Sequence, residues 1–359
     1  MSPIPIYCFY YILFLLIFQS KCPFFKKKWL TNRLLLIYAR GIIFLILEKE
    51  QVMDIFTTMI TPYTPDGRVD YDTAIKYVDW YFENGLTGIF AICQSSEIFW
   101  LSLEERVTLN QKIYARAKAL EKSFGKQFTV VSSGHISESL EDQIQELNAV
   151  WKSGTDALIL ITNRLDPKNE GDDVFISNAE KLISALPSDV KLGLYECPYP
   201  YKRLVTPKIL DWCLSTGKFY YMKDTCCDAA IMADRCRQLQ GSQFKLLNAN
   251  CQTLLESMRN GGDGYCGIMC NFHPALYTWL GENFDKDSQT AELVQSIIGT
   301  FGFTEVGLPY PLTAKYHMNL CGIPTELITR KPDGGIVTDY VKSCMKQMKK
   351  ASDYLETII

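Results

Sequence analysis

A closed (β/α)8 TIM barrel, an α/β fold beginning at Met53 and followed by a C-terminal helical region, is what this sequence predicts, and three observations carry the prediction. Eight short runs of apolar or β-branched residues recur along the chain. Stretches with helical periodicity and helix-start chemistry separate them. No glycine-rich phosphate loop follows the first run, where "TPYTPDGRVD" reads as a turn, so a doubly wound open sheet is the weaker alternative. Eight buried strands alternating with helices are what a parallel barrel requires.

Taken in order, the strand runs are "IFTTMIT" (55–61), "GIFAIC" (88–93), "FTVVSS" (128–133), "ALILIT" (157–162), "LGLYEC" (192–197), "FYYMKD" (219–224), "FKLLNA" (244–249) and "GYCGIM" (264–269). After the second run comes "SLEERVTLNQKIYARAKAL", where Ser102 can cap the first turn and Glu105 can reach back as in a capping box. After the third, "SLEDQIQELNAVWKSG" repeats the device with Ser139 and Asp142 and stops at Gly154. Beyond about Gly281 the pattern turns purely helical, through "DSQTAELVQSIIGTF", "LTAKYHMNLCG" and "DYVKSCMKQMKKASDYLETI". The chain therefore divides into a hydrophobic extension (1–52), the barrel (53–283) and the helical region (284–359).

The extension is of another kind from the rest. Residues 4–18 are almost continuously apolar, and the basic "KKKW" follows them instead of preceding them, which is not the order of a signal peptide. The run is short for a membrane span, and the second apolar stretch, "LLLIYARGIIFLIL", is broken by Arg40. Its composition resembles translated AT-rich non-coding DNA, so it is expected to be dispensable. A membrane anchor through residues 4–18 is the alternative, with "KKKW" then favouring the cytoplasmic side, and a targeting segment is the third reading.

A formal charge of −3 without a basic stripe argues against nucleic acid as a partner. The 13 cysteines are scattered, many within apolar runs, which suits a reducing, cytoplasmic setting. With three histidines and no paired C-x-x-C, no metal site is expected.

Chemistry in such a barrel sits at the C-terminal ends of the strands. Lys223 falls at the end of the sixth run, sharing a face with Tyr221 and Phe219 by period two. Held among aromatic side chains at the mouth, it is a candidate nucleophile, because desolvation favours the neutral amine that attacks a carbonyl carbon. Tyr195 ends the fifth run and can pass protons beside it. Ser95 and Ser96, in the "CQSSE" loop after the second run, offer hydroxyls and N–H groups to a carboxylate. His135, in "SSGHIS" after the third run, and Arg164, in "LITNRLDP" after the fourth, are substrate-binding candidates by position alone.

Together "TTMITPYTPDGRVD", "CQSSEIFWLSLEER", "LYECP", "YYMKDT" and "GGDGYCGIM", in this order from Met53 onward, resemble the dihydrodipicolinate synthase and N-acetylneuraminate lyase family of class I aldolases. The resemblance implies a Schiff-base lysine at Lys223, a proton-handling tyrosine at Tyr195, and carboxylate-binding hydroxyls at or beside Ser95 and Ser96. It also implies a small keto acid such as pyruvate as substrate, no cofactor, and a homo-oligomer, dimer or tetramer. Several positions depart from it. Gln94 stands where the synthases carry the first threonine of their proton relay, and Arg164 and Leu165 replace their paired tyrosines. Pro200 lies near the place of their aldehyde-binding arginine, with Lys202 and Arg203 close by, and Tyr221 replaces a glycine. The expectation is a divergent lyase or aldolase that makes or breaks a carbon–carbon bond, with Gln94 also at the substrate. The alternatives are a keto-deoxy sugar acid dehydratase of the same family, a true synthase, or a non-catalytic barrel that binds a metabolite.

Overall fold

The computed structural model describes residues 32–39, 42–49, 53–305 and 307–359. Contacts divide the chain into two units, 1–52 and 53–359. In the first, Asn32–Ala39 and Ile42–Lys49 pair as an antiparallel hairpin; residues 4–18, the anchor candidate, lie outside the described residues. Among those residues no helix is long and apolar enough to cross a membrane.

In the second unit eight parallel strands close into a barrel. They are β1 (Asp54–Thr58), β2 (Gly88–Phe90), β3 (Thr129–Ser132), β4 (Ala157–Ile161), β5 (Leu192–Tyr195), β6 (Phe219–Asp224), β7 (Lys245–Asn248) and β8 (Gly264–Gly267), with β8 pairing back to β1. Each is followed by a helix: α1 (Tyr71–Glu83), α2 (Leu103–Phe124), α3 (Leu140–Lys152), α4 (Asp172–Ser184), α5 (Pro207–Thr216), α6 (Ala229–Leu239), α7 (Leu254–Arg259) and α8 (Pro274–Asn283). The predicted (β/α)8 fold is the observed one. Most strands end up to three residues before the sequence runs do, because the chain leaves the ladder to build the mouth.

Local chemistry sets the helix boundaries as the pattern indicates. The capping box of α2 is formed in full: Ser102 Oγ accepts from the Glu105 N–H at 3.1 Å, and Glu105 Oε2 accepts from the Ser102 N–H at 2.9 Å. Ser139 caps α3 by accepting from the Asp142 N–H. Where β8 starts beside β1, any Cβ at Gly264 would lie 1.9 Å from the Asp54 carbonyl oxygen, so only glycine fits.

Apolar side chains pack in two layers. The outer one, between strands and helices, includes Leu158, Leu160, Leu192, Leu194 and Met222; the interior one includes Phe56, Phe90, Ile159, Tyr195, Leu247 and Cys266. Strict alternation would place Phe219 inside. It packs outside instead, against Trp212 and Phe244, because the register slips where Leu192 pairs with Phe219 and Gly193 with Tyr221. Tyr221 and Lys223 remain on the interior side.

The C-terminal region adds α9 (Ser288–Glu305), α10 (Leu312–Leu320) and α11 (Asp339–Glu356). Between α10 and α11 runs an irregular strap, 323–338, that crosses back to the barrel mouth.

Candidate active site

At the C-terminal ends of the strands lies a cavity of about 420 Å³. Lys223 enters it from the end of β6 and is only 7% exposed. Its Nζ sits 4.4 Å from the Tyr195 ring centroid and 5.7 Å from that of Phe90. Tyr195 and Lys223 are paired directly across β5 and β6.

The next residue on each strand holds that pairing in place. Glu196 and Asp224 point out of the interior and share Arg235 of α6, Glu196 at 2.7 Å and Asp224 in a close contact. Glu196 also accepts from the Val205 N–H at 2.7 Å and the Thr225 N–H at 2.9 Å. Burial pushes the Glu196 carboxyl up while the Arg235 guanidinium opposes the shift. These buried charges are paired and hydrogen-bonded, as burial demands, and they tie both strand ends to the loops around the mouth.

The Tyr195 hydroxyl donates to Gln94 Oε1 at 3.3 Å. Burial raises its pKa well above the ordinary phenol value, so at neutral pH it carries its proton. Gln94 and Ser95 line the cavity from a short 3-10 turn after β2. Ser95 Oγ donates to Thr58 Oγ1 at 3.1 Å.

Ser96 is used otherwise. It is fully buried, its hydroxyl lies 2.8 Å from the Met59 carbonyl and 2.7 Å from the Ala91 carbonyl, and it accepts from the Cys93 N–H. It holds the loop that presents Gln94 and Ser95. Glu97 closes the same turn in the left-handed conformation (φ 62°) and turns its carboxylate to the C-terminal strap.

Neither candidate chosen by position reaches the cavity. His135 is buried with both ring nitrogens occupied: Nε2 accepts from the Ile161 N–H at 2.6 Å, and Nδ1 therefore donates to Gln143 Oε1 at 2.8 Å. Burial lowers its pKa to about 4. Arg164 lies in a short helical turn, Thr162–Leu165, with its guanidinium 5.5 Å from the Phe99 ring. It backs an aromatic rim in which Phe99 meets Tyr199 at 4.8 Å and Trp100 meets Tyr199 at 6.2 Å; of these, Trp100 lines the cavity. Lys202 lines it as well, but Arg203 is bound to Asp166 at 2.9 Å and Asp172 at 2.7 Å.

Sequence reasoning missed the contributions of the C-terminal region. Tyr310 and Lys331 line the cavity, from the turn before α10 and from the strap. No periodic signal marks either segment; only the proline-rich "GLPYP" hints at a turn. A buried amine, a proton-bearing phenol and a patch of hydroxyls form a set that can add to a carbonyl group and handle the protons the addition needs.

A closed parallel barrel with its cavity at the strands' C-terminal ends is the architecture of a (β/α)8 enzyme. Residues 51–351 match the dihydrodipicolinate synthetase family, and the chain belongs to it, a family of aldolase-type lyases. A 4-hydroxy-tetrahydrodipicolinate synthase of Shewanella frigidimarina is 23% identical over 300 residues, 82% of this chain and 96% of that one. An uncharacterised DapA-like lyase of Chloroflexus aurantiacus is 25% identical over 243 residues, 66% of this chain and 76% of its own. Among solved structures, an E. coli K12 prophage protein of the dihydrodipicolinic acid synthase family in complex with pyruvate superposes with a TM-score of 0.72 at 18% identity, covering 85% of this chain and 98% of the other. The Clostridium difficile protein CdNal in complex with mannosamine gives 0.72 at 15% identity, covering 84% and 99%.

Proposed function

We propose that this protein is a class I aldolase or lyase in which Lys223 forms a Schiff base with pyruvate or a related 2-keto acid. The observation that carries the reading is the Lys223 amine, buried at the barrel mouth against the Tyr195 ring. In its neutral form the amine adds to the keto carbon. The carbinolamine then loses its hydroxyl as water, taking a proton from the Tyr195 phenol, and leaves an iminium. That iminium withdraws electrons from the neighbouring carbon, so a carbon–carbon bond there can be made or broken through the enamine. Ser95 and its neighbours receive the carboxylate, and Gln94 orients the Tyr195 hydroxyl. Family membership and the pyruvate complex of the E. coli neighbour support the keto-acid reading.

The test is reductive trapping. With pyruvate and borohydride the protein is expected to gain one reduced pyruvate, mapped by peptide mass to Lys223 and not to Lys202, and Lys223→Ala should abolish it. Tyr195→Phe should slow adduct formation by roughly 100-fold, the lower end of what a positioned proton donor contributes. No adduct with pyruvate or with a panel of 2-keto-3-deoxy sugar acids, or an adduct on another lysine, would overturn the assignment.

A further inference from the structure

Tyr310 is a cavity phenol that neither the strand ends nor the barrel helices supply. Past α9 the chain turns at Gly307 in the left-handed region (φ 86°) and returns over the mouth before α10 begins. There the Tyr310 hydroxyl accepts a hydrogen bond from Asn271 Nδ2 at 3.3 Å, and Tyr310 lines the cavity together with Ser95. Asn271 is itself fixed. Its Nδ2 also donates to the Thr58 and Ile268 carbonyls, each at 2.9 Å, and its Oδ1 accepts from the Tyr81 hydroxyl at 2.6 Å. The phenol oxygen is thus placed by an amide with little freedom to move.

We propose that Tyr310 is a substrate-binding residue that, together with Ser95, receives the carboxylate of the keto acid, with Thr58 behind them holding the Ser95 hydroxyl. This rests on the preceding reading for the position of the substrate. Within it, the two cavity phenols divide the work. Tyr195 stands against the reactive amine and bonds to Gln94, whereas Tyr310 lines the cavity with Ser95 and is tied through Asn271 to the Thr58 backbone. Because Asn271 donates to its oxygen, the Tyr310 proton is free to point at a ligand. Burial keeps that proton in place by raising the phenol's pKa far above its ordinary value. A neutral O–H that cannot ionise suits an anionic partner, since a phenolate would repel it.

The assignment separates binding from chemistry. In borohydride trapping, Tyr310→Phe should raise the half-saturating pyruvate concentration roughly 10-fold or more, the scale of one hydrogen bond to a charged group. The limiting trapping rate should stay within about twofold. With methyl pyruvate, which carries no carboxylate charge, half-saturation should be the same in both proteins. Ser95→Ala, which removes only a hydroxyl, should show the same pattern and serves as the companion if Tyr310→Phe fails to fold. A limiting rate that falls at unchanged half-saturation, or an equal weakening for the ester, would overturn the proposal. A second readout does not depend on the Schiff base: pyruvate binding by NMR saturation transfer to Lys223→Ala with and without Tyr310→Phe. Equal affinity in that pair would sink the role of Tyr310 even if Lys223 were not the nucleophile, and weaker binding on losing the hydroxyl would support it.

Discussion

His135 shows what separates a residue at the right end of a barrel from a residue in its site. Its position after β3 is legible in the sequence; what is not legible is that the ring turns away to bridge the Ile161 N–H and Gln143. A proton on Nε2 would have to face the Ile161 N–H, and burial already lowers the pKa to about 4 from an ordinary 6.5. The sign of the consequence follows directly. Between pH 6.5 and 4 the unfolded chain binds the proton and the folded one does not, so His135 costs stability as pH falls through that window and costs nothing above it. Between pH 7.5 and 5.5 the loss should be about 1 kcal/mol. Urea unfolding of the wild type and His135→Gln at both values should show the variant losing about that much of the acid dependence; identical slopes would contradict the account. Lys223, Tyr195, Gln94 and Ser95 meet in the cavity as the sequence motifs indicate, because each is fixed to a strand end or the turn directly after one. Ser96 and Arg164 sit equally close in sequence, yet the backbone of a turn decides which neighbour points inward, and no periodicity records that choice.

The barrel strands and their helices could be read from the sequence because each carries a local pattern: short continuous apolar runs in the strands, which are buried on both faces, and caps and apolar faces in the helices. The strap at 323–338 has no such pattern and is held by tertiary contacts, with the Glu97 carboxylate at their centre. Glu97 Oε1 accepts from Lys315 Nζ at 3.0 Å, and Oε2 accepts from the Thr329 hydroxyl at 2.8 Å and the Arg330 N–H at 2.6 Å. Arg330 then reaches Glu105 of α2 at 2.7 Å. Burial lowers the Lys315 pKa to about 8, so at pH 7 the group is still an ammonium whose counter-ion is Glu97. Glu97→Gln keeps the shape and leaves that charge buried without its partner, at a cost of roughly 3 kcal/mol. Denaturant unfolding at pH 7 measures it, together with faster proteolytic cleavage within the strap. A change under about 0.5 kcal/mol would mean the strap is held by something else.

At the scale of the whole chain, the change in composition at Met53 coincides with the division of contacts into 1–52 and 53–359. A protein beginning at Met53 is therefore expected to fold to the same barrel, with an unchanged thermal midpoint for the main transition, and to trap pyruvate at the full-length rate. Loss of either would make the extension part of the working enzyme. Within 53–359 the site is assembled from residues far apart in sequence: Glu97 and Lys315 are 218 positions apart, and Glu97 and Arg330 are 233. Time of synthesis gives that separation a meaning. As the chain emerges from the ribosome, Lys223 and all eight strands are made before Tyr310, Lys315 and Arg330 exist. The nascent protein acquires Lys223 early and Tyr310, which lines the same cavity, late, so a product released after residue 283 would carry Lys223 in an unfinished mouth.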